Sequence, residues 1–235
     1  MKNRLYIVLL AVVLCGCEVI PEAERLIPVE TEPYGHRTHL LLEFTGFRCV
    51  NCPNATETAL ALQEVYGENL TVVSLHPASN PFTQGLYDYT CPAADNIYLW
   101  MGGDASTPFP AGNLDMQIYE GEWFVSMSEW PTMVYQAMQD TIVPGLEHAD
   151  RSYWLVEDSV LGVQAMPDGT VNMAYYHRHM LRDIQADKAD LVIPEESNPE
   201  HLYLITVYSD PKDNHILQAY EKKLFDGSSM SPMDD

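Results

Sequence analysis

LLLEFTGFRCVNCPNATETALALQEVYG, from Leu40 to Gly67, decides how the rest of the chain is read. It opens on apolar residues interrupted by one acid, Glu43, bends through Thr45-Gly46, and reaches Cys49-Val50-Asn51-Cys52-Pro53. Ala59, Leu62, Val65 and Tyr66 then recur at helical spacing up to Gly67. Proline is tolerated in a first helical turn and glycine suits a C-terminal cap, so the pattern predicts a buried strand, a tight bend and a helix.

That placement has chemical consequences. Two cysteines separated by two residues can close a small disulfide ring. A cysteine just ahead of a helix is favoured as thiolate by the unpaired amide N–H groups and the helix dipole, and thiolate is the species that attacks disulfides. Three readings stand at this point: a redox-active dithiol, a static disulfide, or half of a zinc site. Zinc has the least support, because neither a second CxxC nor a spaced Cys/His pair accompanies the first.

The segment resembles the first core strand, active-site turn and first helix of the thioredoxin-like superfamily. Glu43 stands six residues before Cys49, where thioredoxins carry a buried acid that moves the proton of the second cysteine. The resemblance implies Cys49 as nucleophile, Cys52 as resolving thiol and Glu43 as proton acceptor. It also implies a cis-proline beside the dithiol, ahead of the third core strand. Pro110, in Thr107-Pro108-Phe109-Pro110-Ala111-Gly112, is the candidate and Pro108 the fallback. The match has departures: Arg48 replaces the aromatic usual before the first cysteine, and Val50-Asn51 replaces Gly-Pro. Arg48 would itself favour a Cys49 thiolate by charge.

The chain begins MKNRLYIVLLAVVLCGC. Lys2 and Arg4 precede an apolar core too short for a confident membrane span. Residues 1–16 read as a lipoprotein signal peptide. The ending resembles a bacterial lipobox, implying lipid on Cys17 and an N-terminal acyl anchor; Glu18 rather than Asp implies the outer membrane. Pro21, Pro28 and Pro33 among acidic residues make 17–37 an extended tether. The formal net charge of −22 argues against nucleic acid and against attachment to anionic lipid by surface charge. No cofactor or metal is expected, and the expected partners are a membrane, through the anchor, and proteins carrying disulfides.

Residues 38–149 are read as the thioredoxin-like domain. Asn69–His76 predicts a second buried parallel strand, Ala93–Met101 a helix, Asn113–Tyr119 the strand after Pro110, and Trp123–Val125 a return strand. Ser128 is read as the cap of a helix whose apolar face is Trp130, Met133, Val134, Met138 and Ile142, ending at Pro144-Gly145. After Asp150 the period changes. Tyr153–Val163, Val171–Leu181, Leu202–Tyr208 and Ile216–Lys223 are each β-compatible, so 150–226 is read as a small antiparallel β-domain and 227–235 as a disordered tail. The fold class is therefore α/β: a thioredoxin-like domain, with its central mixed sheet flanked by helices, followed by that β-domain. Cys91 is left either as a buried free thiol or as a third redox partner.

This two-part plan is similar to the outer membrane protein 28-related lipoproteins. The matching pieces are Glu43-Phe44-Thr45-Gly46, the CxxC turn, Pro110 with Gly112-Asn113, His177 to Arg182, and Ile216-Leu217-Gln218-Ala219. The resemblance implies an address and an architecture. His177 and His179, two apart on a predicted strand, fall on one side, either as two imidazoles for a metal completed by His201 or His215, or as cross-strand packing. Two functional readings follow: an envelope thiol–disulfide exchange protein, or a non-catalytic lipoprotein that keeps the disulfide for rigidity and binds a partner or glycan.

Overall fold

A computed structural model of the protein describes residues 37–140 and 145–225. Cys17, the expected signal peptide, nearly all of the expected tether, and the tail lie outside them, as do Ile142 and Pro144.

The opening stretch folds as its pattern predicts. Strand β1 is His39–Phe44, and helix α1, Cys52–Tyr66, carries Pro53 in its first turn and ends on Gly67 at φ 56°. Strand β2, Leu70–Leu75, returns parallel to β1 through the crossover of α1, with Glu43 opposite Ser74. Helix α2 is Pro92–Trp100. Strand β3, Ala111–Leu114, runs antiparallel to β1 with Phe44 opposite Ala111, and the short β4, Val125–Ser126, closes that edge. Helix α3, Trp130–Ala137, follows.

Two expectations shift here. The strand after Pro110 starts at once and stops at Leu114, because Asp115 and Met116 take positive φ. Ser128 does not cap α3: the N-cap is Glu129, without a side-chain cap bond, and residues 127–129 form a 3₁₀ turn.

Beyond residue 150 lie β5 (Asp150–Glu157), β6 (Val160–Ala165), β7 (Val171–His177), β8 (Met180–Gln185), β9 (Leu202–Ser209) and β10 (Ile216–Lys223). The region was read as a β-domain of its own, but four of these strands continue the first sheet. The order is β10-β9-β5-β8-β2-β1-β3-β4, mixed in direction. The reason is physical. The outer edge of β2 would otherwise be left unpaired, and β8 takes it through the Ser74–Met180 bridge and the Ser74 amide bound to the His179 carbonyl. Trp154, Val156, Leu181, Ile205 and Val207 then bury into one apolar cluster with Leu40, Leu42 and Phe44. Leu41, on the other face of β1, packs with Ala55, Ala59 and Leu62 of α1 and with Trp130 of α3.

The pair β6–β7 forms a separate two-stranded antiparallel sheet. It arises because two expected strands break. Ser159, at φ 56°, splits the first run, and His179, at φ 48°, splits the second.

Candidate functional site

Cys49 and Cys52 form a disulfide at the head of α1, with Cα atoms 5.4 Å apart. The turn is closed by its own backbone: the Cys49 amide donates to the Gly46 carbonyl and the Cys52 amide to the Cys49 carbonyl. Gly46 has no room for a side chain, since a Cβ there would stand 2.6 Å from the Phe82 carbonyl oxygen. Arg48 points its guanidinium at the carbonyl oxygens of Gln84 (3.2 Å) and Pro81 (3.5 Å). Its charge is thereby engaged with the neighbouring loop.

Pro110 follows a cis peptide bond at Phe109. Pairing of Phe44 with Ala111 sets Pro110 at the same end of the sheet as the cysteine turn. Cys49, Cys52, Phe109 and Ala111 belong to one buried cluster.

Glu43 is wholly buried on the α1 face of β1. The Thr56 hydroxyl of α1 donates to its Oε1 at 2.7 Å, and the Ser74 hydroxyl of β2 to its Oε2 at 2.9 Å. Burial pushes the Glu43 carboxyl up to about 7, against the downward pull of these hydroxyls. Thr56 Oγ1 also lies 3.3 Å from the Cys52 carbonyl oxygen, so one side chain touches both the acid and Cys52. The helical step from Cys52 to Thr56 and the register of Ser74 opposite Glu43 create this arrangement. Both residues escaped the sequence reading. The available signals were a threonine one turn beyond Cys52 and a serine interrupting Leu70–Leu75.

Beside these groups lies a cavity with about 10 Å³ open to the centre of a water-sized sphere. Cys52, Thr56 and Ser74 line it from the first half of the chain, and Gln164, Tyr175, His177 and Arg178 from the β6–β7 hairpin. That volume admits about one water molecule. His76 also lines it, and its buried Nε2 has no hydrogen-bond partner among the described residues. Burial, then the charges of His177 and Arg182, holds His76 well below the ordinary imidazole range. Burial brings His177 down to about 4 and, with the Glu43 charge next, pushes the Tyr175 phenol up. Both imidazoles are neutral at pH 7.

His177 and His179 do not act together. His177 stacks near Tyr89, Tyr175 and His76 and reaches the Val163 carbonyl, whereas His179 sits in the turn beyond β7 with Nδ1 3.5 Å from Asp158. Among the described residues no three His, Cys, Asp or Glu side chains converge where a metal ion would bind. Cys91 is free and buried. Its sulfur accepts from the Ala94 amide at 3.4 Å, making it the N-cap of α2.

A mixed sheet carrying a CxxC disulfide at a strand-to-helix junction is consistent with a thioredoxin-like fold. No family model and no curated protein matches the chain. Among solved structures, HBP35 of Porphyromonas gingivalis superposes with a TM-score of 0.57, covering 86% of this chain and 78% of that one, at 14% identity. A structural-genomics protein of Agrobacterium tumefaciens gives 0.44, covering 78% of this chain and 92% of that one, at 12% identity. At such identities the first likeness speaks to the fold alone.

Proposed function

We propose that this is a thioredoxin-like thiol–disulfide exchange protein of the cell envelope, related to the outer membrane protein 28-related lipoproteins and anchored through lipid on Cys17. One observation carries the exchange reading. A carboxylic acid lies fully buried with the Thr56 and Ser74 hydroxyls as its hydrogen-bond donors among the described residues, its pKa raised to about 7 by burial, one threonine away from Cys52. An acid without a cation is costly to bury, and a pKa near the working pH suits proton transfer.

In the reduced protein, the Cys49 thiolate attacks a substrate disulfide. The substrate S–S bond breaks, one substrate sulfur leaves as thiolate, and a mixed disulfide with Cys49 forms. Cys52 then passes its proton to the Glu43 carboxylate and attacks the Cys49 sulfur. The second substrate thiolate departs, the Cys49–Cys52 bond closes, and two electrons have moved from protein to substrate. Pro110 forms the wall against which the substrate peptide lies.

A second reading has its own observation. Both sulfurs are nearly sealed, Cys49 at 2% and Cys52 at 1% exposure, as suits a disulfide kept for rigidity in a lipoprotein that binds a partner or glycan. The reduction potential of the pair, measured with insulin-reduction activity on wild type and Cys49→Ser, separates the two. A potential above about −300 mV with turnover supports exchange; one below that, without turnover, makes the disulfide structural.

A further inference from the structure

We propose that the β6–β7 hairpin is a built-in cover over the cysteine turn, which must lift before Cys49 meets another protein. Its regulatory meaning rests on the pair being an exchange dithiol. Val50, between the two cysteines, is 44% exposed, while Cys49 and Cys52 are sealed. The hairpin lies against the turn, and its Gln164, Tyr175 and His177 line the cavity that Cys52 also lines. Gln164 Nε2 donates to the Cys49 carbonyl at 2.9 Å, and the Ala165 amide donates to the Phe47 carbonyl at 2.7 Å.

The second bond is of the kind an incoming extended peptide makes, a main-chain amide meeting a main-chain carbonyl beside the reactive cysteine. The hairpin therefore occupies, in cis, a main-chain acceptor two residues before Cys49. Its outer face is apolar and exposed at Leu161, Val171, Met173 and Tyr176.

The attachment is slight enough to open. The two strands pair with each other, outside the eight-stranded sheet. Besides the two bonds to the turn, Gln164 Nε2 reaches the Gly46 carbonyl at 3.4 Å, the Val163 amide donates to the Tyr89 hydroxyl at 2.8 Å, and the His177 ring lies 4.7 Å from the Tyr89 ring and 5.4 Å from the His76 ring. Ser159 and His179, both at positive φ, bound the segment like hinges. Units fastened by a few bonds open locally at lower free energy than the whole fold.

The test is the rate at which dithiothreitol reduces the pair, each turnover opening Cys49–Cys52 to two thiols while the reagent closes to its own cyclic disulfide. In Gln164→Ala combined with Tyr89→Phe, reduction speeds up on the order of tenfold, as expected when the side-chain anchors at Gln164 and Tyr89 are removed. An unchanged rate in a variant that keeps its far-UV spectrum overturns the cover. Should the variant lose its fold, wild type in sub-denaturing urea decides: hydrogen exchange at the Ala165 amide and reduction rate rise together if the hairpin gates, and exchange rises alone if it does not. The reduction potential comes from the same equilibria. A structural potential with intact gating removes the exchange function and leaves the cover standing, and an exchange potential without gating does the reverse.

Discussion

The Asp158 carboxylate accepts from Arg178 Nε at 2.7 Å, and the same oxygen receives the His179 amide at 3.2 Å. Ser159 Oγ donates to the other oxygen at 2.7 Å. One side chain thus ties together the two bends, at Ser159 and His179, that detach the β6–β7 hairpin from the main sheet.

Removing that clasp loosens the hairpin first. Asp158→Ala leaves the His179 amide and the Arg178 guanidinium without this partner and costs about 1–3 kcal/mol. Thermal unfolding reads the loss globally, and hydrogen exchange reads it at the Ala165 amide, which is bound to Phe47 across the hairpin–turn junction. A melting temperature within about a degree of wild type would mean that the clasp carries no stability.

Glu43 makes stability depend on pH in an unusual sense for an acid. In the folded protein it keeps its proton to about pH 7, whereas the unfolded chain releases it near 4.5. Between those values the folded state holds the extra proton. The contribution is complete below 4.5 and is lost as pH rises through 7, on the order of 3 kcal/mol in all. Glu43→Gln removes this slope. Its difference from wild type in urea unfolding, taken with the disulfide intact, isolates Glu43 from His76 and His177, whose downward shifts act in the opposite sense. A wild-type slope surviving in Glu43→Gln contradicts the assignment.

The same variant slows exchange. Without a carboxylate to take the Cys52 proton, closure of the mixed disulfide falls by roughly 10²-fold, the usual range for loss of a general base. Single-turnover reduction of a model disulfide measures it. The deficit appears above pH 7 and vanishes below, where wild-type Glu43 is itself protonated.

Cys91 belongs to the helix α2 as its N-cap rather than to the Cys49–Cys52 disulfide. Cys91→Ser substitutes a better helix cap, so stability holds or rises by a few tenths of a kcal/mol, and the reduction potential of Cys49–Cys52 stays where it was. A shifted potential would reveal a third redox thiol. Burial pushes the Cys91 thiol up, so alkylation of the folded protein at this site is slow.

The anchor is checked in cells. Cys17→Ala releases the protein from the membrane fraction into the soluble envelope fraction; continued membrane association of that variant sinks the lipid anchor.

The local pattern was enough for everything within α1's reach. Apolar residues before a bend, proline after the second cysteine and a terminal glycine each act over a few residues. The positions of β1, α1 and β2 were therefore legible. Glu43 could be named because its distance along the chain from Cys49 matches a family pattern. Its hydrogen-bond partners could not be, because Ser74 meets it only through strand register and Thr56 only through helix docking.

The second half was legible as strands but not as topology. Nothing in Asp158-Ser159 or Arg178-His179 carries glycine or proline, so two runs that break read as continuous. Both breaks are stabilised by the Asp158 carboxylate, which lies at the first and reaches the second 20 positions on, and β8 joins an edge of β2 that the sequence does not advertise as open. By itself, then, the sequence determined a strand-turn-helix carrying two cysteines, since that depends on neighbours along the chain. Whether the sulfurs face solvent was decided by tertiary structure alone. Gln164 and Tyr175, which line the cavity beside Cys52, lie more than a hundred positions beyond it, and only the tertiary fold brings them to the turn.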